Sequence, residues 1–412
     1  MNAPPSISAS DLDFARILAQ FEPEFSPDSP RFPVLYLNHS AQMSGAEASL
    51  RALLWGLKRL DLPFDPLVAL PRSGPFTELL RREGWSVAPV PLRRLGRPHG
   101  LIDGVRALRY AVRTTPILTR LIEISGAKIV HSNSTTAHLV GGLAARRARR
   151  PAIWHCRDLV PLGALARPLA KGANRVIAIS NCVAAHLERE GVPHDKIAVV
   201  YNGIDPQQWR PRFHSTLRDS LGLPPGAWLF GAVGQIVPWK EFGAFIEAAA
   251  HMMRDRSSRN CYFALIGGDL WAQHAAYRAE LYRLVGKYGL SERFFFTGHQ
   301  TDAADALSGL DALVHPTREE PFGRVILEAM ALGKPVIAMN QNGPGEIITH
   351  ERDGLLVPAS EQNGLARAMK RLIRDGELRA RLSYHAPLTI EAKFHSDDHA
   401  RHIASIYREI LR

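Results

Sequence analysis

Cysteine is scarce: Cys156, Cys182 and Cys261 are the three in 412 residues, with no Cys-x-x-Cys pair and no Cys/His cluster. Their odd number and wide spacing exclude a disulfide framework and a structural zinc site, and fit a reducing compartment. Long apolar runs are missing as well, since no stretch approaches the roughly 20 residues that cross a bilayer. The first residues, MNAPPSISASDLDF, lack the basic-then-apolar order of a secretory signal. These absences predict a cytoplasmic protein. No basic stripe interleaved with aromatics, zinc pattern or recognition helix is present, so nucleic acid is not the expected partner. An Asp-x-Asp metal motif is lacking in any suitable place, because Asp11-Leu-Asp13 falls in the N-terminal extension.

What is present is an ordinary globular composition, 46% hydrophobic and 22% charged, in a chain long enough for two domains. Its net charge of +11 is uneven. Residues 1–210 hold 27 Lys and Arg against 17 Asp and Glu, whereas residues 211–412 hold 24 against 23. The first half therefore suits an anionic acceptor or an anionic membrane surface.

The most informative stretch is Asp311 to Pro358. Ala312 to Val314 reads as a strand, His315 to Glu320 as a polar turn, Phe322 to Leu332 as a helix with Pro321 in its first turn, and Pro335 to Met339 as the next strand. Gly333 suits the helix stop. Such a βαβ unit puts its ligand at the carboxyl ends of the strands. Phe322 and Gly323 offer backbone N–H groups at the helix start, where a phosphate is the expected guest. Glu328, in the second turn, is placed to reach hydroxyl groups of an attached ribose. Taken singly, Glu320 reads as a solvated loop carboxylate and Glu328 as a surface helix residue.

Taken together, Glu320-Pro-Phe-Gly-Arg-Val-Ile-Leu-Glu328, then Ala-Met-Ala-x-Gly-x-Pro-Val, Gly343, Glu346 and Gly354-Leu-Leu-Val-Pro, resemble the E-x7-E region of retaining nucleotide-sugar glycosyltransferases of family 4. The resemblance implies an α/β protein of GT-B fold, two Rossmann-like domains with parallel sheets facing a central cleft. It implies that Glu320 and the Phe322 and Gly323 amides hold donor sugar and phosphate, that Glu328 holds the ribose, and that Gly343 and Glu346 make further donor contacts. No cofactor is implied beyond the nucleotide-diphosphate sugar as co-substrate.

Other segments fit the same plan. After the strand Pro33 to Asn38 comes Ser44-Gly45-Ala46-Glu47, similar to the family's Gly-Gly-Ala-Glu loop near the donor phosphates, with Ser44 in place of the first glycine. His155, at the end of the predicted strand Ala152 to His155, lies where the family places an active-site His. Gly234-Gln235-Ile-Val-Pro-Trp-Lys240 resembles the phosphate loop, with Lys240 matched, Gln235 replacing the usual Arg and Glu241 replacing a Gly; Arg324 is a candidate for the missing charge. His299 and Gln300 are expected near the base. Residues 1–30 read as an extension with a short helix capped by Ser10, 31–208 as the acceptor domain, 209–385 as the donor domain, and 386–412 as a helix crossing back to the first domain.

Between Leu92 and Ala127 a basic start (Arg93, Arg94, Arg97) precedes a helix. Leu101, Val105, Leu108 and Val112 form one stripe, with Arg106, Arg109 and Arg113 off it. Charge runs of this kind usually solvate an ordinary helix; the functional alternative is a membrane-facing or acceptor-facing patch.

The resulting expectation is a metal-independent retaining hexosyl transfer from a nucleotide-diphosphate sugar to a glycan or lipid-linked acceptor in cell-surface polysaccharide synthesis, at the inner face of the plasma membrane. Domain closure would exclude water from the donor. A nucleotide-sugar epimerase of the same fold and a silent nucleotide-binding partner subunit are the rivals; Gln235 favours the second.

Overall fold

The computed structural model describes residues 31–93, 101–212, 214–255, 258–270 and 272–412, with side chains from 106 onward in the helix that begins at 101. The N-terminal extension, Asp11-Leu-Asp13, Arg94 and Arg97 lie outside the described residues. The chain divides into two units, Met1–Gly203 with Ser396–Arg412, and Ile204–His395.

In the first unit, strands β1 (Phe32–Leu37), β2 (Phe64–Leu70), β3 (Ser86–Pro89), β4 (Ile129–Ser132), β5 (Ala152–Cys156), β6 (Arg175–Ala178) and β7 (Ile197–Val199) form one sheet. Their order is β3-β2-β1-β4-β5-β6-β7, and every pairing is parallel. Runs such as Val34-Leu35-Tyr36-Leu37 are apolar at every position because both faces of this sheet are covered. One face packs Val34, Tyr36 and Ile153 against Leu50, Leu54 and Tyr407; the other packs Leu35, Leu37 and Val130 against Leu118, Leu121 and Val140. The order reverses between β1 and β4, so the crevice for a ligand opens at their carboxyl ends.

The second unit repeats the plan with β8 (Trp228–Val233), β9 (Cys261–Ile266), β10 (Phe294–Gly298), β11 (Ala312–His315), β12 (Val336–Met339) and β13 (Leu355–Val357). The sheet order is β10-β9-β8-β11-β12-β13, again parallel, with the reversal between β8 and β11. An aromatic core of Phe230, Phe245, Phe263 and Phe294 fills one side.

Two sequence expectations change. The helix Leu101–Ile124 buries Tyr110, Thr114, Leu118, Leu121 and Ile122, whereas Leu108 and Val112 face solvent. This helix carries two apolar stripes on opposite sides, and the sheet takes the one further along. The helix of the signature region starts at Arg324, not Phe322, so Pro321 and Phe322 belong to the preceding loop. Gly323, with φ of 102°, turns the chain into the helix through a conformation that L side chains rarely adopt.

The chain leaves the first unit after Gly203 and returns at Ser396, against 208 and 386 expected. The returning helix Ser396–Leu411 packs on the helix Gly45–Arg59. The backbones approach closely at Gly56, where a Cβ would sit 2.8 Å from Ala400 Cβ and 3.0 Å from the Ser396 carbonyl oxygen. Arg59 donates to Asp397 and, at 2.9 Å, to Ser396 Oγ, tying the start of the returning helix to the end of its partner. Gly56→Leu keeps a good helix former but forces the pair apart; a loss of about 1–3 kcal/mol is expected. A urea midpoint equal to the parent's would show that the helices do not meet at Gly56.

A second prediction concerns acid. His138 is buried, stacks on Trp154 at 5.5 Å between centroids and donates through Nε2 to the Leu169 carbonyl at 3.1 Å. Burial pushes its pKa down from 6.5 to about 4, against a smaller opposing effect of the Leu169 carbonyl. The unfolded chain binds a proton at this site below about pH 6.5 and the folded chain does not until about pH 4. Stability is therefore lost as pH falls through that window, by roughly 3 kcal/mol for this group. Comparing urea unfolding at pH 7 and 4.5, His138→Phe should show a smaller acid loss than the parent; an equal loss refutes the assignment.

Candidate active site

In the second unit the candidate side chains sit on the loops and first helical turns that follow the carboxyl ends of β8, β11 and β12. Beyond β8 the chain turns at Gly234, whose carbonyl lies so close to Gly267 that a Cβ there would be 1.9 Å from the oxygen. A single helical turn, Pro238–Lys240, then presents Lys240, held over the Trp239 ring at 4.3 Å. Thr317 Oγ1 donates to the Lys240 carbonyl at 3.2 Å, joining this loop to the one after β11.

Glu320 is no solvated loop carboxylate: it is 7% exposed. Lys240 Nζ donates to its Oε2, and His315 Nε2 lies 3.1 Å from the same oxygen. Burial alone would raise the Glu320 pKa, but the Lys240 charge, the His315 hydrogen bond and the Lys240 hydrogen bond together hold it far below the usual carboxylate range. Burial lowers the His315 pKa against the opposing pull of Glu320, so this ring is a neutral donor to an ionised carboxylate.

The backbone around Glu320 is clamped from the β12 side. The Gly343 N–H donates to the Glu320 carbonyl at 3.0 Å, and a Cβ on Gly343 would stand 2.3 Å from Phe322 Cα. Phe322 is buried against Phe394. Glu346 follows on the short helix Gly343–Ile347. Glu328 is packed against Arg324 one turn earlier, Nε to Oε1 2.9 Å, with both side chains 14% exposed. Burial raises the Glu328 pKa and Arg324 opposes it. Arg324 thus stands beside the second carboxylate of the signature. His299 is exposed and Gln300 donates to the Thr297 carbonyl at 3.1 Å.

In the first unit Gly45 opens the helix Gly45–Arg59 with open space where a Cβ would be. Ser44 Oγ donates to Glu47, whose buried carboxylate also accepts from Asn38 Nδ2 at 3.0 Å. His155 lies inside β5 and is wholly buried, one residue short of the strand's end. Its Nδ1 is 3.1 Å from His131 Nε2, and His131 Nδ1 is 2.7 Å from the Tyr407 hydroxyl. Its Nε2 has no hydrogen-bond partner among the described residues. Burial first, then the Arg157 charge, push its pKa well down, so the ring is neutral.

Sequence reasoning gave no role to Arg157, just beyond β5, which gathers the loops of this sheet. It donates through Nε to Asn133 Oδ1 at 3.0 Å and through Nη1 to Asn202 Oδ1 at 2.7 Å, with Nη2 3.3 Å from His155 Nδ1. Asn133 in turn donates to Asn38 Oδ1 at 2.8 Å. Each of these residues lies within three positions of a strand end on the crevice side, a signal available in the sequence but carried by no local motif. Among the described residues no group of three His, Cys, Asp or Glu is arranged to hold a metal ion.

Comparison with known proteins agrees with this geometry. Residues 43–208 match the family described as Glycosyltransferase Family 4, and residues 214–389 match Glycosyl transferases group 1. Over 247 residues the chain is 30% identical to the lipopolysaccharide core biosynthesis mannosyltransferase LpsB of Rhizobium meliloti, covering 59% of this chain and 68% of that one. The chain belongs to glycosyltransferase family 4. This family 4 enzyme is a retaining hexosyltransferase that uses nucleotide sugars, and its two parallel sheets are those of the GT-B fold. It is 25% identical over 80% of its length to an Escherichia coli UDP-Gal:alpha-D-GlcNAc-diphosphoundecaprenol alpha-1,3-galactosyltransferase, covering 88% of that protein. The crystal structure of Anabaena HepE in complex with UDP-glucose superposes with a TM-score of 0.78 at 25% identity, covering 92% of this chain and all of that one.

One departure from the family pattern has a measurable cost. Glu241 occupies the left-handed region, φ 53° and ψ 36°, at the position where the phosphate loop usually has Gly. The strain there is on the order of 1 kcal/mol. Glu241→Gly should raise the melting temperature by a few degrees, and a fall by as much would show that the Glu241–Arg318 contact at 3.6 Å outweighs the strain.

Proposed function

We propose that this family 4 enzyme transfers a hexosyl group from a UDP-hexose to a lipid-linked glycan acceptor in cell-surface polysaccharide synthesis, without a metal ion. The observation that carries the reading is the buried, ionised Glu320 held between Lys240 and His315. A carboxylate fixed in this way accepts hydrogen bonds from donor sugar hydroxyls, while Lys240 beside it takes the charge that develops on the departing diphosphate. Donor entry replaces the Lys240–Glu320 pair by a phosphate on one side and sugar hydroxyls on the other. Glu328, kept in place by Arg324, accepts from the ribose hydroxyls. The loop amides at Phe322 and Gly323, together with Gly343 and Glu346, complete the donor contacts.

In the first unit we assign Gly45 to the donor phosphate loop and His155 to holding Arg157, which is set at the strand ends with three asparagines. UDP as the leaving group is supported by the HepE complex, and a lipid-linked acceptor by the diphosphoundecaprenol substrate in the name of the Escherichia coli relative. The basic excess of residues 1–210 fits an anionic acceptor.

Thermal shift against UDP, GDP and ADP tests the donor. UDP alone should stabilise the parent, and Glu328→Ala should lose the shift; a larger shift with GDP or ADP overturns the base assignment. Glu320→Ala should lower turnover by at least a hundredfold while leaving a cooperative melting transition. Near-parental transfer by that variant would remove Glu320 from the site.

A further inference from the structure

The exposed side of the helix Leu101–Ile124 is neither a plain solvated face nor a packed one. Leu108 and Val112, one turn apart, are 64% and 63% exposed, the most exposed large aliphatic side chains among the described residues. Successive 100° steps set the exposed Pro116 beside them and place the exposed Arg109, Arg113 and Arg120 in a band along the same side, with Arg106 at its margin. Glu123 is the acidic side chain described on this face, 3.5 Å from Arg120. Arg93, on the loop after β3, stacks over the Tyr110 ring at 4.9 Å and adds a further exposed cation near the same end of the helix.

We propose that this face docks on the surface of an anionic phospholipid bilayer, with Leu108 and Val112 entering the interfacial region and the arginines contacting lipid phosphates. An aliphatic edge beside a guanidinium band is the pattern of a helix lying in a membrane interface. Self-association through the same face would bring like charges together, and nucleic acid would gain nothing from exposed Leu and Val in the absence of an exposed aromatic on this face. The helix runs antiparallel to the parallel strands it connects, so its first half, where Leu108 and Val112 sit, lies at the carboxyl-end side of the sheet. That is the side bearing Asn38, Asn133 and Arg157. The docking surface thereby presents the acceptor side of the first unit to lipid-linked substrate, and in this respect it deepens the function proposed above and rests on it.

Flotation of the full chain with vesicles of phosphatidylcholine alone, and of phosphatidylcholine with 30 mole per cent phosphatidylglycerol as the probe composition (roughly the charge density at which basic clusters bind), separates the outcomes. The parent should float with the anionic vesicles and not with the neutral ones. Leu108→Ser with Val112→Ser, and separately Arg109→Gln with Arg113→Gln, should each lower the bound fraction at least fivefold while leaving the UDP-induced thermal shift intact. Binding by both variants equal to the parent's overturns the proposal, as does a parent that stays unbound. A parent that sediments as a dimer, and that the Ser pair converts to monomer without vesicle binding by either, overturns it in favour of self-association. Because flotation uses neither donor nor acceptor, failure here leaves the transferase reading standing. Loss of the UDP shift with flotation intact does the reverse.

Discussion

An ionised carboxylate with almost no access to water holds three loops of the second unit together. Glu320 can stay charged only because Lys240 arrives from the loop after β8 and His315 from the end of β11. Its own carbonyl accepts from Gly343, at the start of the segment after β12. Removing Lys240 would leave a buried charge without its counter-ion, a loss of about 3–5 kcal/mol in comparable cases, well beyond what a surface pair contributes. The loop geometry and the charge state of the site are therefore one property.

The first unit solves a related problem differently. Arg157 is held at the strand ends by the side-chain oxygens of Asn133 and Asn202. These two bonds fix the direction of its guanidinium at the carboxyl ends of β4, β5 and β7. Behind it, His155, His131, Tyr407 and Tyr36 form a buried chain in which burial, and after it the neighbouring positive charge, keeps both imidazole rings neutral. Replacing a ring by a charged side chain would place that charge beside Arg157 with no route to water.

Much of this was legible in the sequence, and the failures share a cause. Runs such as VLYL in β1 and VIAM in β12 are apolar at every position because parallel sheets are covered on both faces, and short loops separate them from periodic helices. The order of Glu320, Glu328, Gly343 and Glu346 is local enough to read as one motif. The ion pair of Glu320 with Lys240 spans 80 residues and the Arg157 cluster joins four separate strand ends, so neither leaves a mark on any single window. The start of the signature helix was misplaced because Pro321 suits a first turn, while the left-handed Gly323 that delays it is a backbone property invisible in residue type alone. For Leu101–Ile124 periodicity fails in principle, since two apolar stripes compete and only the neighbouring sheet decides between them.

The helix Ser396–Leu411 completes the core of a unit whose other elements end at Gly203. During synthesis, β1 to β7 emerge while the hydroxyl of Tyr407 and the side chains of Ala400 and Ile403 that cover Leu50, Leu54 and Tyr36 do not yet exist. About 190 further residues must be translated first, roughly ten to forty seconds at ribosomal speeds of 5–20 residues per second. The second unit is continuous in the chain, whereas the first cannot close its core until the helix that follows the second has been made. Until that helix is made, a nascent chain carries an open apolar groove on the first unit, a natural client surface for chaperones that bind at the exit tunnel.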